Sequence, residues 1–414
     1  MNLREAEAYL LDLELFGMRF GLDRMHKLMT VLGMPQRRFA SIHVVGSNGK
    51  SSTTRMIAAI LERHGVATGT YTSPHLRSFA ERIEVGGRPL AGPEFAAAVE
   101  RVARAARLVD RTLEEGDRVT QFEALTAAAY TELARRGVEV AVIEAGLGGR
   151  YDATNVIPSK VQVLTGVGLE HTRWLGPTVA DIADEKLAVV RDHATLVIGP
   201  DLDPDAEAVA VRVVSERHAT LVRAPTDATD APARAPGPFQ RRNFALAREA
   251  AGAFLGDLDE AAVRSAADEV AIPGRLEVVG ESPLTIYDGA HNPSGARALV
   301  EALPEVMGER RPRVAVIAVL DDKDAAGMLR ELLPAVDRAV FTRSAHPRSL
   351  TPATLMTLSE QLGGPPAEVV ADARAAVDRA RAIAGPGGAV LTTGSIYLIA
   401  ELVRDDPTAR ASAI

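Results

Sequence analysis

Cysteine is absent from the 414 residues, which removes disulfides, thiolate metal sites and a cysteine nucleophile together. Any metal here must be held by oxygen or imidazole. No apolar stretch reaches the roughly 20 residues that a bilayer crossing needs. The start, MNLREAEAYLLDLELF, carries Arg4, Glu5, Glu7, Asp12 and Glu14 within its apolar pattern. It is expected to be an amphipathic helix and not a signal peptide, and a cytoplasmic location is the matching expectation. A basic excess is missing as well. The formal net charge is -8 and the pI about 5.7, which argues against a general polyanion-binding surface and leaves room only for a local basic pocket that takes phosphate. Neither nucleic acid nor membrane is an expected partner, and no internal repeat is evident.

What the chain does have is ordinary globular chemistry, 47% hydrophobic and 25% charged, at a length that fits two or three packed domains. Short apolar runs alternate with helical spacing: SIHVVG, a helix over 51–64, EVAVIEAG, KVQVLTGVG and ATLVIGP. Such alternation predicts a buried, mainly parallel sheet covered by helices. The stretch Arg223 to Pro238, rich in Pro, Ala, Asp and Thr without apolar period, reads as an exposed loop. FQRRNFALAREAAGAFL after it returns to helical spacing and could still pack on the first sheet. Pro273-Gly274 punctuates the chain before a second series: LTIYDGAHNP, a helix over 294–303, RVAVIAVL, a helix near 325–333, RAVFTRS, AEVVAD and GGAVLTTGS. Two α/β domains are expected, 1–273 and 274–414, the second of a size usual for one domain.

Gly46, Ser47, Asn48, Gly49, Lys50, Ser51 and Ser52 follow an apolar strand and open a helix. In that context backbone N–H groups and the helix dipole face an anion, lysine neutralises phosphate oxygens and a serine hydroxyl reaches bound magnesium. The spacing is shorter than the common Gly-x4-Gly-Lys-Ser/Thr loop, and a plain strand-to-helix turn is the competing reading. Glu144 closes the run VEVAVIEAG, where an open α/β sheet collects its ligands. An acid there can hold magnesium or its waters, or serve only to fix a loop. His171 follows the next strand and Ser73 lies in a Pro-containing loop. Each alone is an ordinary capping or loop residue. Their placement at strand ends beside a phosphate loop is what groups them.

Taken together, these motifs resemble the folylpolyglutamate synthase/dihydrofolate synthase family, within the Mur-ligase superfamily of ATP-dependent amide-bond-forming enzymes. The resemblance runs through HVVGSNGKSST, YTSPHL, ERI, TQFEALTAAA, EAGLGGRYDATN, HTRWLGPTVADIADEK, FQRRN, PGRLE, DGAHNP, DDKD and TTGSIYL, nearly the whole chain. It implies an N-terminal P-loop ATPase domain with a mainly parallel sheet and a smaller Rossmann-like C-terminal domain that takes glutamate. It implies that Ser73, Glu144 and His171 bind magnesium and that Lys50 and its neighbours hold the ATP phosphates. Asn243, Arg275 and Asp288 would contact ATP, while Thr120, Gln121, Phe122, Glu123, Arg150, Tyr151 and Asp152 would line the pterin side. Lys186 matches a lysine that superfamily members carry as a carbamate, an anion able to bind magnesium, or else it is a solvated helix lysine.

Family members usually have Thr, Gly and Asp where this chain has Ser47, Ser51 and Glu170, and EKLAVV replaces the usual small-residue version after the lysine. Ser51 makes the loop more like that of the peptidoglycan-building relatives.

The implied reaction transfers the γ-phosphoryl of ATP to a carboxylate of dihydropteroate or a reduced folate, and the amine of L-glutamate then attacks the acyl phosphate. Asp288 and His291 would face a closing cleft that excludes water, so that Lys50, His171, Lys186, Asp288 and His291 form the expected catalytic set. The alternatives are a peptidoglycan amino-acid ligase and a nucleotide-dependent switch protein. A monomer acting on small molecules is expected.

Overall fold

The structure is a computed structural model of the chain, and it describes residues 1–13, 20–226 and 234–404. The chain divides into two compact units. One holds the described residues up to 226 together with Arg242–Val270; the other holds 234–241 and the described residues from Ala271 onward. The changeover thus falls at 270–271, a few residues before Pro273-Gly274, and the second unit also takes in residues ahead of it. The helix Pro238–Leu255 begins in one unit and continues in the other.

The first unit is built on eight strands: β1 Ala40–Val45, β2 Thr68–Tyr71, β3 Ile83–Val85, β4 Arg88–Pro89, β5 Val140–Glu144, β6 Val161–Leu164, β7 Thr195–Ile198 and β8 Thr220–Arg223. Their order is β4-β3-β2-β5-β1-β6-β7-β8. From β2 through β8 neighbouring strands run parallel, and β3 and β4 add an antiparallel edge. The central strands are buried along almost their whole length, which is why they read as continuous apolar runs rather than alternating ones. The β3–β4 hairpin is missing from the sequence reading because its strands are three and two residues long, too short for a period to register.

The N-terminal helix is observed over Leu3–Leu13 and buries Ala6, Leu10 and Leu13; the remainder of the expected helix, 14–16, lies outside the described residues. So do residues 227–233 of the expected loop. Helix Lys50–Arg63 takes the place expected for 51–64.

In the second unit, β9 Glu277–Glu281, β10 Leu284–Tyr287, β11 Arg313–Ile317, β12 Arg338–Phe341, β13 Ala367–Val369 and β14 Ala389–Thr393 are ordered β13-β12-β11-β14-β10-β9. Only the β9–β10 pair is antiparallel. Helix Pro293–Met307 extends past the expected 303 and accommodates Pro304 internally. Both units are therefore α/β with mainly parallel sheets, the expected class. In each, every parallel strand delivers its C-terminal residue to one edge of its sheet.

Candidate active site

β1 ends at Val45, and the chain passes at once into Gly46 with φ +146° and then Gly49 with φ +83°. Glycine is required at 46 because a Cβ there would collide with the Thr165 hydroxyl. The turn is held from the loop after β6: Ser47 N donates to Gly166 O at 2.8 Å, Gly168 N to Ser47 Oγ at 3.0 Å and Thr165 Oγ1 to Asn48 O at 2.6 Å. Helix Lys50–Arg63 then starts from a left-handed Gly49 with no side-chain cap, so its first-turn N–H groups point toward any anion placed there. Ser52 is buried in that helix. The side chain of Asn243 packs directly against Gly49, where a Cβ would meet its Oδ1 at 2.5 Å. The helix after the long loop thus returns to the phosphate turn.

Two ammonium groups converge on the turn. Lys50 Nζ donates to Gly46 O at 3.0 Å and to Ser47 O at 3.2 Å, and Lys186 Nζ donates to the same Gly46 O at 2.9 Å. Lys186 is 1% exposed, which corrects the solvated-lysine alternative. It lies in helix Val179–Leu187 and pairs with Glu170 at 3.2 Å. Burial brings its pKa down to about 8, against the pull of Glu170. Glu170 goes to about 2: burial pushes it up, and the Lys186 and Lys50 charges outweigh that. His171 follows immediately with φ +49° and its backbone starts the short helix Thr172–Leu175. The imidazole therefore belongs to the neighbourhood of Glu170.

At the end of β5, Glu144 is 1% exposed. Ser51 Oγ donates to its Oε1 at 2.9 Å, and Ser73 N donates to its Oε2 at 3.1 Å. Ser51 Oγ also lies 3.4 Å from Ser73 O. The parallel register Val44↔Glu144 on β1 and β5 produces this meeting, because it sets the last residue of β5 beside the start of the phosphate turn. Among the described residues no three His, Asp or Glu side chains form a ready cage for a metal ion. What is present is one buried carboxylate with two serines, a donor set that suits magnesium, which prefers one or two carboxylates completed by water and phosphate oxygens.

The residues expected on the pterin side fall into two groups. Thr120 caps helix Gln121–Arg135 in a reciprocal pair with Glu123, whose carboxylate also receives Arg24 Nε at 3.1 Å. Gln121 Nε2 donates to Leu10 O at 2.9 Å. Phe122 is the member of this group left with an aromatic face, 6.0 Å from the Tyr71 ring and packed over Gly146. In the second group Arg150 pairs with Asp184 and Glu185, Tyr151 is half exposed, and Asp152 is buried, accepting from Leu147 N and Thr154 N at 2.9 Å each. Burial raises the Asp152 pKa.

In the second unit Asp288 follows β10. It is buried and accepts from Leu276 N at 3.0 Å and Ala290 N at 2.8 Å. Burial raises its pKa, and the guanidinium of Arg275 works in the opposite direction. His291 Nδ1 lies 3.0 Å from Gly289 O, and Asn292 caps helix Pro293–Met307. Asp288 and His291 thus share the turn after β10, and Arg275, from the segment before β9, lies beside it.

The geometry has a counterpart in known proteins. Residues 44–230 match the Mur ligase middle domain and 274–396 the Mur ligase glutamate ligase domain. The dihydrofolate synthase/folylpolyglutamate synthase of Mycobacterium tuberculosis is 34% identical, over 87% of this chain and 82% of its own length. The chain belongs to the folylpolyglutamate synthase/dihydrofolate synthase family. A probable bifunctional folylpolyglutamate synthase/dihydropteroate synthase of Haloferax volcanii is 36% identical over 97% of the chain, which spans 50% of that longer protein. The Mycobacterium tuberculosis folylpolyglutamate synthase complexed with ADP superposes with a TM-score of 0.88 at 32% identity, covering 96% of this chain and 98% of that one. A bifunctional folylpolyglutamate synthase/dihydrofolate synthase with Mn, AMPPNP and L-glutamate bound gives 0.84 at 30% identity, covering 97% of each chain.

The hydroxyl of Ser51, at a position where the resemblance implies glycine, goes to Glu144. Glu170, where the resemblance implies Asp, pairs with Lys186. Thr165 and Gly168, which hold the phosphate turn, were not singled out by the sequence, since a Gly-rich loop after a strand carries no mark of what it packs on. His43 and Arg191 were missed too. The one available signal for His43 was a polar residue in the otherwise apolar run IHVV.

Proposed function

We propose that this family member activates a carboxylate on ATP at the first unit's phosphate turn and that the residues grouped there carry the roles their chemistry fits. The activity is ATP-dependent ligation of glutamate to folates, as in the curated relatives and the nucleotide-bound structures, and these favour it over a peptidoglycan ligase or a nucleotide switch. ATP acts with a divalent metal. The observation that carries the residue-level reading is the convergence of Lys50, Lys186, Ser51 and Glu144 on the turn that ends β1.

In this reading Gly46 to Ser52 cradle the phosphates, and Lys50 swings from its own loop carbonyls to the phosphate oxygens, where it offsets charge that develops in phosphoryl transfer. Glu144, with Ser51, Ser73 and His171, would hold the magnesium. When bound, the ion neutralises phosphate charge and fixes the orientation of the transferred group. Asn243, Arg275 and Asp288 contact the nucleotide, and His291 acts with Asp288 in the transfer to glutamate.

Lys186 as a carbamate would reverse the charge beside Glu170 and add an anionic oxygen to the metal site. Its pKa of about 8 supports this, since addition to carbon dioxide requires the neutral amine and burial raises that form's share near neutral pH. Phe122 offers a ring to a pterin, and Arg150, Tyr151 and Asp152 lie on the loop beside it. The chain is read as a cytoplasmic monomer; among the described residues no helix is long and apolar enough to cross a membrane.

The test is an ADP-release assay with glutamate and, in separate reactions, dihydropteroate, mono- and diglutamyl reduced folates, and nucleotide-linked muramyl acceptors. Turnover confined to the pterin-bearing acceptors is expected. Turnover with a muramyl acceptor, or ATP binding without any ligated product, would overturn the reading. The relative kcat/KM of dihydropteroate and the folates distinguishes a dihydrofolate synthase from a folylpolyglutamate synthase.

A further inference from the structure

His43 stands in the middle of β1, fully buried, in a strand whose other residues are apolar or serine. Its Nε2 lies 2.8 Å from Thr154 Oγ1, and its Nδ1 is buried without a hydrogen-bond partner. Thr154, also fully buried, sits in the 3-10 turn Ala153–Val156 and donates a hydrogen bond from the same Oγ1 to Asp152. The rest of this turn is clasped from distant parts of the chain. Tyr130 OH donates to Thr154 O at 2.9 Å, Arg191 donates to Asn155 O at 2.6 Å and to Asn155 Oδ1 at 2.8 Å, and Asn155 Nδ2 donates to Arg150 O at 3.1 Å.

The proton count of this chain of contacts has one consistent solution. A threonine hydroxyl has a single proton. If the imidazole carried its proton on Nδ1, that N–H would be buried with nothing to receive it, and Nε2 would compete with Asp152 for the threonine proton. A buried donor without acceptor costs more than a buried lone pair. The proton therefore sits on Nε2, which donates to Thr154 Oγ1 and leaves the hydroxyl only one direction, toward Asp152. Burial, with Arg191 nearby, takes the His43 pKa down to about 3. The ring is thus neutral and a constant donor across the physiological range.

We propose that His43 is a positioning residue for the acceptor substrate: through Thr154 it fixes the Asp152 carboxylate, and with it the loop from Gly146 to Asn155 that bears Arg150 and Tyr151. The device ties the strand that carries the phosphate turn to the loop assigned to the pterin. The inference rests on that assignment of Arg150–Asp152 to the acceptor.

The test is steady-state kinetics on the full-length enzyme with His43→Leu, His43→Gln, Thr154→Val, the double variant His43→Leu/Thr154→Val, and Asp152→Asn. Leucine fills most of the space without a donor; the glutamine amide can place an N–H where Nε2 stood. We expect His43→Leu to raise the acceptor KM by about tenfold with the ATP KM changed by less than about twofold, a loss of uniform acceptor binding. His43→Gln should restore most of it. His43→Leu should add almost nothing in the Thr154→Val background, since the two act through one contact.

A role in packing alone predicts the reverse: equal losses for leucine and glutamine, both KM values unmoved with activity scaled to the folded fraction, and effects that add in the double variant. Any of these overturns the proposal. Asp152→Asn separates the two levels. If it raises the acceptor KM while His43→Leu does not, the positioning role falls and the acceptor loop stands. If it leaves the acceptor KM unchanged, the acceptor assignment falls and the proposal with it.

Discussion

The ammonium of Lys186 donates to the carbonyl oxygen of Gly46 at 2.9 Å, so a lysine from the helix Val179–Leu187 is built into the underside of the phosphate turn. Gly46 O also receives Lys50, and the free-amine form of Lys186 therefore shares its acceptor with the lysine that is to meet the phosphates.

The pair formed by Lys186 and Glu170 has a stability signature. Glu170 is held at about 2, below its ordinary 4.5, so its contribution is present above pH 4.5 and is lost as pH falls toward 2. Lys186, lowered from 10.5 to about 8 by burial, acts the other way: its charged form is disfavoured in the fold, and stability gains as pH rises from about 8 to 10.5. With Lys186 as the free amine, Glu170→Gln leaves it buried without its counter-charge and should cost ~3 kcal/mol at pH 7. Urea denaturation should show the gap between variant and wild type closing below pH 4.5.

Glu144→Gln should keep the shape of the site and remove a metal-binding charge. A fall in kcat of about 100-fold or more is expected, with binding of metal-free nucleotide retained. Metal titration followed by ADP release measures it, and an unchanged metal dependence would remove Glu144 from the metal site.

Gly149→Ala tests a close approach. A Cβ at Gly149 would collide with Lys186 O and stand 2.8 Å from Glu185 O, and backbone cannot yield as a side chain can. A loss of roughly 1–3 kcal/mol is expected, seen as a lower Tm, together with altered metal dependence because the obstructed atoms belong to the segment that carries Lys186.

Asp288 is a capping group as well as a proposed nucleotide contact. Asp288→Ala would leave the N–H groups of Leu276 and Ala290 unpartnered in a buried turn, at roughly 1–3 kcal/mol for each buried group. Asp288→Asn retains an acceptor and should remain folded while ligation drops. A thermal melt beside the ADP-release assay separates the two effects, and full turnover in folded Asp288→Asn would remove its charge from the mechanism.

The sequence alone determined what depends on local backbone preference: the alternation of apolar strands and helices in both units and the glycine turn after β1. The strand-end positions of Glu144 and Asp288 were legible for the same reason, as an acid closing an apolar run. Only the tertiary structure decided which ends meet. The register of β1 against β5 brought Glu144 to Ser51, burial made Lys186 a member of the phosphate turn rather than a surface lysine, and β1 carried His43 to Thr154. Those pairings are fixed by sheet order and by the cost of leaving buried polar groups unpaired, which act between residues far apart in the chain and leave no spacing by which to read them.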